Sequence, residues 1–159
     1  MKQAIKVGLS FGLTSGIIST LGLMVGLNAG TASKMVVIGG VLTIAIADSA
    51  SDALGIHVSE ESQKDRTQHD IWLSTFVTFG VKFIFALSFA VPILLTDLPQ
   101  AIIISIVWGL LLIAIFSYYI ASSKGENPWA AVGEHLLITI LVIIATNFVG
   151  DWISNVFSY

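Results

Sequence analysis

The sequence predicts an all-α integral membrane protein, a single transmembrane domain over residues 1–159 that contains five transmembrane helices. Of its residues 55% are hydrophobic and only 11% are charged, whereas soluble domains carry about 25% charged residues. Five apolar runs each approach or exceed the roughly 20 residues that a helix needs to cross the hydrocarbon. These runs cover about residues 5–27, 35–56, 71–95, 101–122 and 131–157, and only short segments connect them.

The distribution of Lys and Arg predicts how these spans are oriented. If the N-terminus lies inside the cell, the inner segments and inner span ends contain Lys2, Lys6, Lys64, Arg66 and Lys124. Only Lys34 then lies outside, and Lys82 lies within a span. Because cytoplasmic segments carry the excess of positive residues, we expect a multi-pass protein of the cell membrane with its N-terminus inside and its C-terminus outside.

Several function classes are disfavoured by composition. The chain has no cysteine, so it can form neither a disulfide framework nor a thiolate metal site. Its formal charge is −3 and it has no basic patch, which argues against nucleic acid as a partner. It has no GxSxG, HExxH or Gly-rich phosphate loop, so we predict that it is not an enzyme and holds no permanent cofactor.

Two carboxylates within the second apolar run are the most informative feature. Asp48 and Asp52 are four residues apart, so on a helix they share one face. A lone charge at mid-bilayer costs roughly 2.5 to 3.5 kcal/mol on insertion scales. The pair therefore predicts a cation or proton site that faces a protein interior or a watery path. The alternative is an internal salt bridge that only fastens helices together.

The first span is rich in glycine and hydroxyl residues. Gly8, Gly12 and Gly16 repeat every four residues, which removes side chains from one helix face and allows another backbone to approach. We expect this row at a helix contact, either within the protomer or across a dimer. Thr14 and Ser15 lie near mid-depth, where their hydroxyls could act as weak oxygen ligands or as hydrogen-bond donors to a carboxylate.

A second row of small residues lies on the second span. Ala47, Ser51 and Gly55 also repeat every four residues, beside the two aspartates. If the first two spans pack through their small-residue rows, Ser15 comes near Asp48.

The third span contains Lys82, roughly 16 Å from its inner end and therefore level with Asp48. From that depth Lys82 cannot easily reach water. It is expected either to pair with Asp48 or Asp52, or to lose its proton because burial disfavours the charged form. A permanent pair would neutralise one aspartate and leave no metal site. Pro92, near the outer end of the same span, is expected to kink the helix.

The last span carries Glu134 and His135 near its inner end. Solvation at the interface is the simpler interpretation of both. Glu134 also lies at roughly the depth of Asp52, so it could join the inner mouth of an ion path.

These segments together resemble the vacuolar iron transporter family over nearly the whole chain. The resemblance rests on SFGLTSGIISTLGLMVGL in the first span, ALGIHVSEESQKD after the second, the span with Pro92, and GENPWAAVGEHLLI…NFVGDWI at the end. It implies a five-helix exchanger that moves Fe²⁺ or Mn²⁺ out of the cytosol in exchange for protons and works as a dimer.

The chain departs from that family at four positions. Phe11 stands where the family usually has Asp, Asp52 where it has Met, and Ile56 where it has Glu. Asp48 stands at a position where the family usually has a small residue. The acidic metal-binding domain that longer members insert is reduced to residues 57–70. Relative to the family, one carboxylate is thus lost from the first span and two are placed on the second.

We therefore expect a homodimeric proton-coupled exporter of a divalent cation, Fe²⁺ or Mn²⁺, because oxygen ligands suit these ions better than soft Cu⁺. The residues assigned to the cation are Asp48, Asp52, Ser15, Thr14 and Glu134. Lys82 is assigned as a counter-charge that competes with the cation and couples its binding to protons. The alternative is a non-transporting protein of the same fold, in which Lys82 forms a fixed ion pair with the two aspartates. The expected partners are the lipid bilayer, the metal ion, protons and a second copy of the chain.

Overall fold

The structure is a computed structural model that describes residues 2–157. Its helices are α1 (Lys2–Thr31), α2 (Lys34–Glu61), α3 (Gln68–Ser88), α4 (Ala90–Leu95), α5 (Leu98–Lys124) and α6 (Pro128–Phe157). With α3 and α4 counted as one span, five segments are long and apolar enough to cross a membrane. The predicted class is confirmed, and the described residues contain no strand. Most helices continue about one turn beyond the apolar run that predicted them.

The third span is interrupted between α3 and α4, where Pro92 predicted a kink. A proline at this position cannot donate a hydrogen bond to the carbonyl of Ser88, and its ring crowds that carbonyl. The helix breaks at Phe89, whose backbone N–H bonds to the carbonyl of Ala86 at 3.2 Å. Trp108 of α5 reaches this break, because its indole N–H donates to the Ser88 hydroxyl at 3.3 Å.

The central helix is α1, which contacts α2, α3, α5 and α6. A Cβ built on Gly12 would lie 2.7 Å from the carbonyl oxygen of Thr78, and one on Gly16 would lie 3.1 Å from Cγ of Lys82. A step of four residues along α1 is matched by a step of four along α3, so the two helices run parallel. The predicted glycine contact is confirmed, and it lies within the protomer.

A second group of glycines joins the C-terminal half of α1 to α6. A Cβ on Gly22 would lie 2.9 Å from a methyl of Val142, and one on Gly150 would overlap the carbonyl oxygen of Gly26. Close backbone contact therefore holds α1 to α3 at one end and to α6 at the other. The hydrophobic core between α1, α4 and α5 includes Ile17, Leu21, Met24, Phe89, Ile93 and Ile113.

The expectation that α1 and α2 pack through their small-residue rows is wrong. Ala47, Ser51 and Gly55 are exposed, and a Cβ on Gly55 would meet nothing within 4 Å. The glycine row of α1, Gly8, Gly12 and Gly16, is already covered by α3. The face of α2 that packs inward carries a different row, Val37, Val41, Ala45, Ser49 and Ala53.

Candidate cation site

Two serine–aspartate pairs connect α1 to α2. The hydroxyl of Ser15 donates to Oδ2 of Asp52 at 2.5 Å. The hydroxyl of Ser19 lies 2.8 Å from Oδ2 of Asp48 and 2.8 Å from the backbone carbonyl oxygen of Ser15, so its one proton has two acceptors within reach. A step of four residues up α1 corresponds to a step of four down α2, as two antiparallel neighbouring helices require. Both carboxylates therefore face α1, and each has a hydroxyl donor.

Lys82 enters this group of side chains from α3. Its ammonium lies 2.5 Å from Oδ2 of Asp48, donates to Oδ2 of Asp52, and donates to the Ser15 hydroxyl at 2.9 Å. An ammonium has three N–H donors, so each donor has an oxygen acceptor. The ion pair that the sequence offered as one alternative is present, and it involves both aspartates. We call Asp48, Asp52, Lys82, Ser15 and Ser19 the carboxylate–lysine cluster.

The acidic and basic members of this cluster differ in exposure. The side chain of Lys82 is 1% exposed, whereas the side chains of Asp48 and Asp52 are 30% and 20% exposed. Asp48 also lines an open groove of about 640 Å³ between α1 and α2, which extends past Leu27 to Val36 near the start of α2. The carboxylates can thus be approached from outside the fold, while the ammonium is enclosed.

Thr14 and Glu134 are not brought to the carboxylate–lysine cluster. The hydroxyl of Thr14 donates to the backbone carbonyl of Ser10 at 2.8 Å, and its side chain lines a different cavity. Glu134 is exposed and makes no hydrogen bond or ion pair within residues 2–157. Their assignment to the cation therefore stays a prediction without a supporting contact.

Ser19 belongs to the cluster, although sequence reasoning did not assign it. The signal was available in the spacing, because Ser15 and Ser19 are separated by the same four residues as Asp48 and Asp52. In two antiparallel helices that place Ser15 beside Asp52, Ser19 lies beside Asp48. The sequence interpretation instead placed Ser15 near Asp48, whereas it bonds to Asp52.

The donor set of the cluster is small and consists of oxygen atoms. Among the described residues no three His, Cys, Asp or Glu side chains gather as a metal site. Two carboxylates with hydroxyls suit a hard or borderline cation that keeps part of its water, as Mg²⁺ does when it is bound through one or two carboxylates.

Two carboxylates and an ammonium gathered among α1, α2 and α3, in a chain with five helices long and apolar enough to span a membrane, define a polytopic membrane protein with ionisable side chains inside its spans. Residues 9–72 match the model of the VIT family. The match covers less than half of the chain and supports the resemblance to that family, and the matched segment contains Ser15, Ser19, Asp48 and Asp52. The family suggests a membrane transporter of metal ions, which is consistent with a protein that is not an enzyme. A comparison with curated proteins found no match.

Proposed function

We propose that this protein exchanges a divalent cation of the Fe²⁺ or Mn²⁺ class for protons and exports the cation from the cytosol. The observation that supports this most directly is the position of the Lys82 ammonium, which is surrounded by oxygen atoms of Asp48, Asp52 and Ser15. The Lys82 ammonium is a cation that belongs to the protein itself, and it lies among oxygen atoms of two acidic side chains. A transported cation would take that place after the lysine is displaced.

Charge balance supports coupling to protons. With Lys82 charged, the two carboxylates and the ammonium carry one net negative charge. Adding a divalent cation would leave one net positive charge, which is costly in a medium of low dielectric constant. If Lys82 releases its proton when the cation binds, the cluster becomes neutral. Exchange would then depend on pH, and the net charge moved per cation would fall from two to one.

The exposure of the carboxylates supports exchange over a permanently closed site. Here Asp48 and Asp52 keep 30% and 20% of their side-chain surface exposed. A partly hydrated cation could approach Asp48 along the groove between α1 and α2 without first unfolding a helix.

The second candidate function is a structural protein of the same fold without transport. It is favoured by the enclosure of Lys82, which is 1% exposed and has an acceptor for each of its three donors. In this alternative the ammonium never leaves the carboxylates, and the ion pair only connects α3 to α2.

Flux measurements in proteoliposomes distinguish the two candidates. We expect an inward Mn²⁺ gradient to drive proton movement, followed with a pH-sensitive dye, and to do so faster than in protein-free vesicles. The double variant Asp48→Asn, Asp52→Asn serves as the matched protein control. Manganese-driven flux that is no faster in the wild type than in this variant contradicts the carrier and favours the fixed ion pair.

The proposed homodimer is supported by the exposed face of α2. Ala47, Ser51 and Gly55 form a row of small side chains that flanks Asp48 and would let the α2 helices of two copies approach closely. A twofold axis along this row would place one carboxylate–lysine cluster on each side of the interface.

A further inference from the structure

A second cavity, about 520 Å³ in volume, lies away from the carboxylate–lysine cluster. It is lined by side chains of α1, α5 and α6, with one side chain from α2, and is open on one side; we call it the Lys124 cavity. Its apolar walls are formed by Val7, Phe11, Ile18, Ile56, Ile120 and Ile138. The cavity is therefore suited to a hydrocarbon ligand.

Some of the side chains that line the Lys124 cavity can donate hydrogen bonds. Lys124 is the last residue of α5 and is exposed, and within the part of the chain that is described its ammonium has no hydrogen bond or ion pair. The hydroxyl of Ser10 likewise lacks a partner among the described residues. None of the described residues that line the cavity is acidic. An anionic group would find an uncompensated positive charge here.

His135 adds a third hydrogen-bond donor to the lining of the cavity. Its Nδ1 lies 2.7 Å from the hydroxyl of Ser117, which is 1% exposed and has no other hydrogen-bond partner among residues 2–157. The buried hydroxyl is satisfied as a donor only if it donates to Nδ1. The ring proton of the neutral imidazole is thereby assigned to Nε2, which can donate to a ligand.

The length of the cavity matches one leaflet of a bilayer. The lining residues of α1 run from Val7 to Ile18, roughly 16 Å along the helix axis. Half of a hydrocarbon core of about 30 Å is about 15 Å. Lys124 is the last residue of α5, so the cavity reaches a helix terminus, where headgroups are found, and its apolar walls extend to Ile18 near the middle of α1.

We propose that the Lys124 cavity binds an anionic phospholipid, with the phosphate at Lys124, His135 and Ser10 and one acyl chain along the apolar walls. Basic pockets between transmembrane helices are known to hold anionic headgroups. A soluble phosphate would leave the apolar walls unfilled. A second copy of the chain related by a twofold axis through this surface would bring two Lys124 ammoniums towards each other, which charge disfavours.

Lipid adducts counted by native mass spectrometry test this proposal. The purified protein in a non-ionic detergent is titrated with phosphatidylglycerol or phosphatidylcholine of equal chain length. We expect the wild type to prefer phosphatidylglycerol. Lys124→Gln should weaken that preference by about fivefold, since one basic residue near a headgroup is worth about that factor. Adding His135→Gln to Lys124→Gln should weaken the preference for phosphatidylglycerol further. Lys64→Gln is the matched control, because Lys64 is exposed and does not line the cavity, and it should keep the wild-type preference.

A filling variant tests the apolar part of the same site. Ser10→Phe places a ring inside the cavity and should remove the preferred phosphatidylglycerol adduct, while the melting temperature in detergent stays near that of the wild type. Equal binding of both lipids by the wild type overturns the proposal, as does an equal effect of Lys64→Gln and Lys124→Gln. Competition by millimolar glycerol phosphate would identify a soluble anion as the ligand. Disulfide-linked dimers of Ser10→Cys would identify a protein contact.

Discussion

Gly16 of α1 lies directly against the stem of Lys82 in α3. A Cβ at Gly16 would lie 3.1 Å from Cγ and 3.2 Å from Cα of the lysine. Because the glycine has no side chain, the lysine passes α1 closely and its ammonium reaches the carboxylates on α2. The contact that holds α1 to α3 thus also positions the positive charge of the carboxylate–lysine cluster.

Gly12→Leu is expected to disrupt the fold or its association. A Cβ at this position already lies 2.7 Å from the carbonyl oxygen of Thr78, so a larger side chain must push two backbones apart. Overpacking alone costs about 1–3 kcal/mol of unfolding free energy. The matched control is Gly80→Leu, since a Cβ on Gly80 meets nothing within 4 Å. Melting temperature and oligomeric state that are the same in both variants would remove the claim that this contact is essential.

Lys82→Met is expected to give a folded protein that binds Mn²⁺ more tightly than the wild type, because a competing cation is gone. The metal-free variant should melt at a lower temperature, since two carboxylates then lack their counter-charge. Manganese should restore the loss, by about 2.7 kcal/mol at a concentration of about 100 times Kd. Lys34→Met, which removes an exposed lysine bonded to the Thr96 carbonyl, is the control.

The fixed ion pair makes the opposite prediction for Lys82→Met. Removing one partner of a buried pair costs about 3–5 kcal/mol, and a protein without a metal site cannot recover that loss. A variant that collapses and is not rescued by Mn²⁺ would therefore decide for the structural alternative.

Asp48→Asn and Asp52→Asn should each weaken Mn²⁺ binding severely, because hard cations need anionic oxygen. Loss of an outer-shell partner alone costs about 10- to 100-fold in metal affinity, so loss of a direct ligand should cost at least about tenfold. Asp151→Asn is the control, since Asp151 is exposed near the C-terminal end of α6, where it accepts a hydrogen bond from the side-chain amide of Asn147. Titration calorimetry on the purified variants measures the effect. Unchanged affinity in both cluster variants would place the cation elsewhere.

The predicted orientation can be checked with single cysteines, because the chain has none of its own. Ser62→Cys reports on the segment between α2 and α3, and Gln100→Cys reports on the start of α5; both positions are exposed. In intact cells an impermeant thiol reagent should label Gln100→Cys and leave Ser62→Cys unlabelled until the cells are opened. Labelling in the reverse pattern would show that the N-terminus lies outside.

The proposed α2 interface predicts a specific cross-link. Ser51→Cys should form disulfide-linked dimers on mild oxidation in membranes, because two α2 helices would meet along the exposed small-residue row. Ile115→Cys on α5 is the control, since Ile115 is 61% exposed and lies as many residues from the first residue of its helix as Ser51 does. Equal cross-linking at both positions would indicate random collision in the membrane and not a defined interface.

Much of this protein could be predicted from the sequence alone. Hydropathy determined the five spans, because a helix that crosses lipid must be apolar over a fixed length. Helical periodicity placed Asp48 and Asp52 on one face, and the rise per residue placed Lys82 at their depth. The glycine row of α1 was correctly expected at a helix contact, since glycines four residues apart leave one face bare.

Only the tertiary structure decided which faces meet. Spacing and depth do not determine how far each helix is rotated about its axis, because that rotation depends on the packing of several helices at once. Packing turned the glycine row towards α3, left Ala47, Ser51 and Gly55 exposed, and kept Thr14 away from the aspartates. It also brought Ser19 to Asp48. It enclosed the ammonium of Lys82 between two carboxylates, because a buried lysine needs an acceptor for each of its donors.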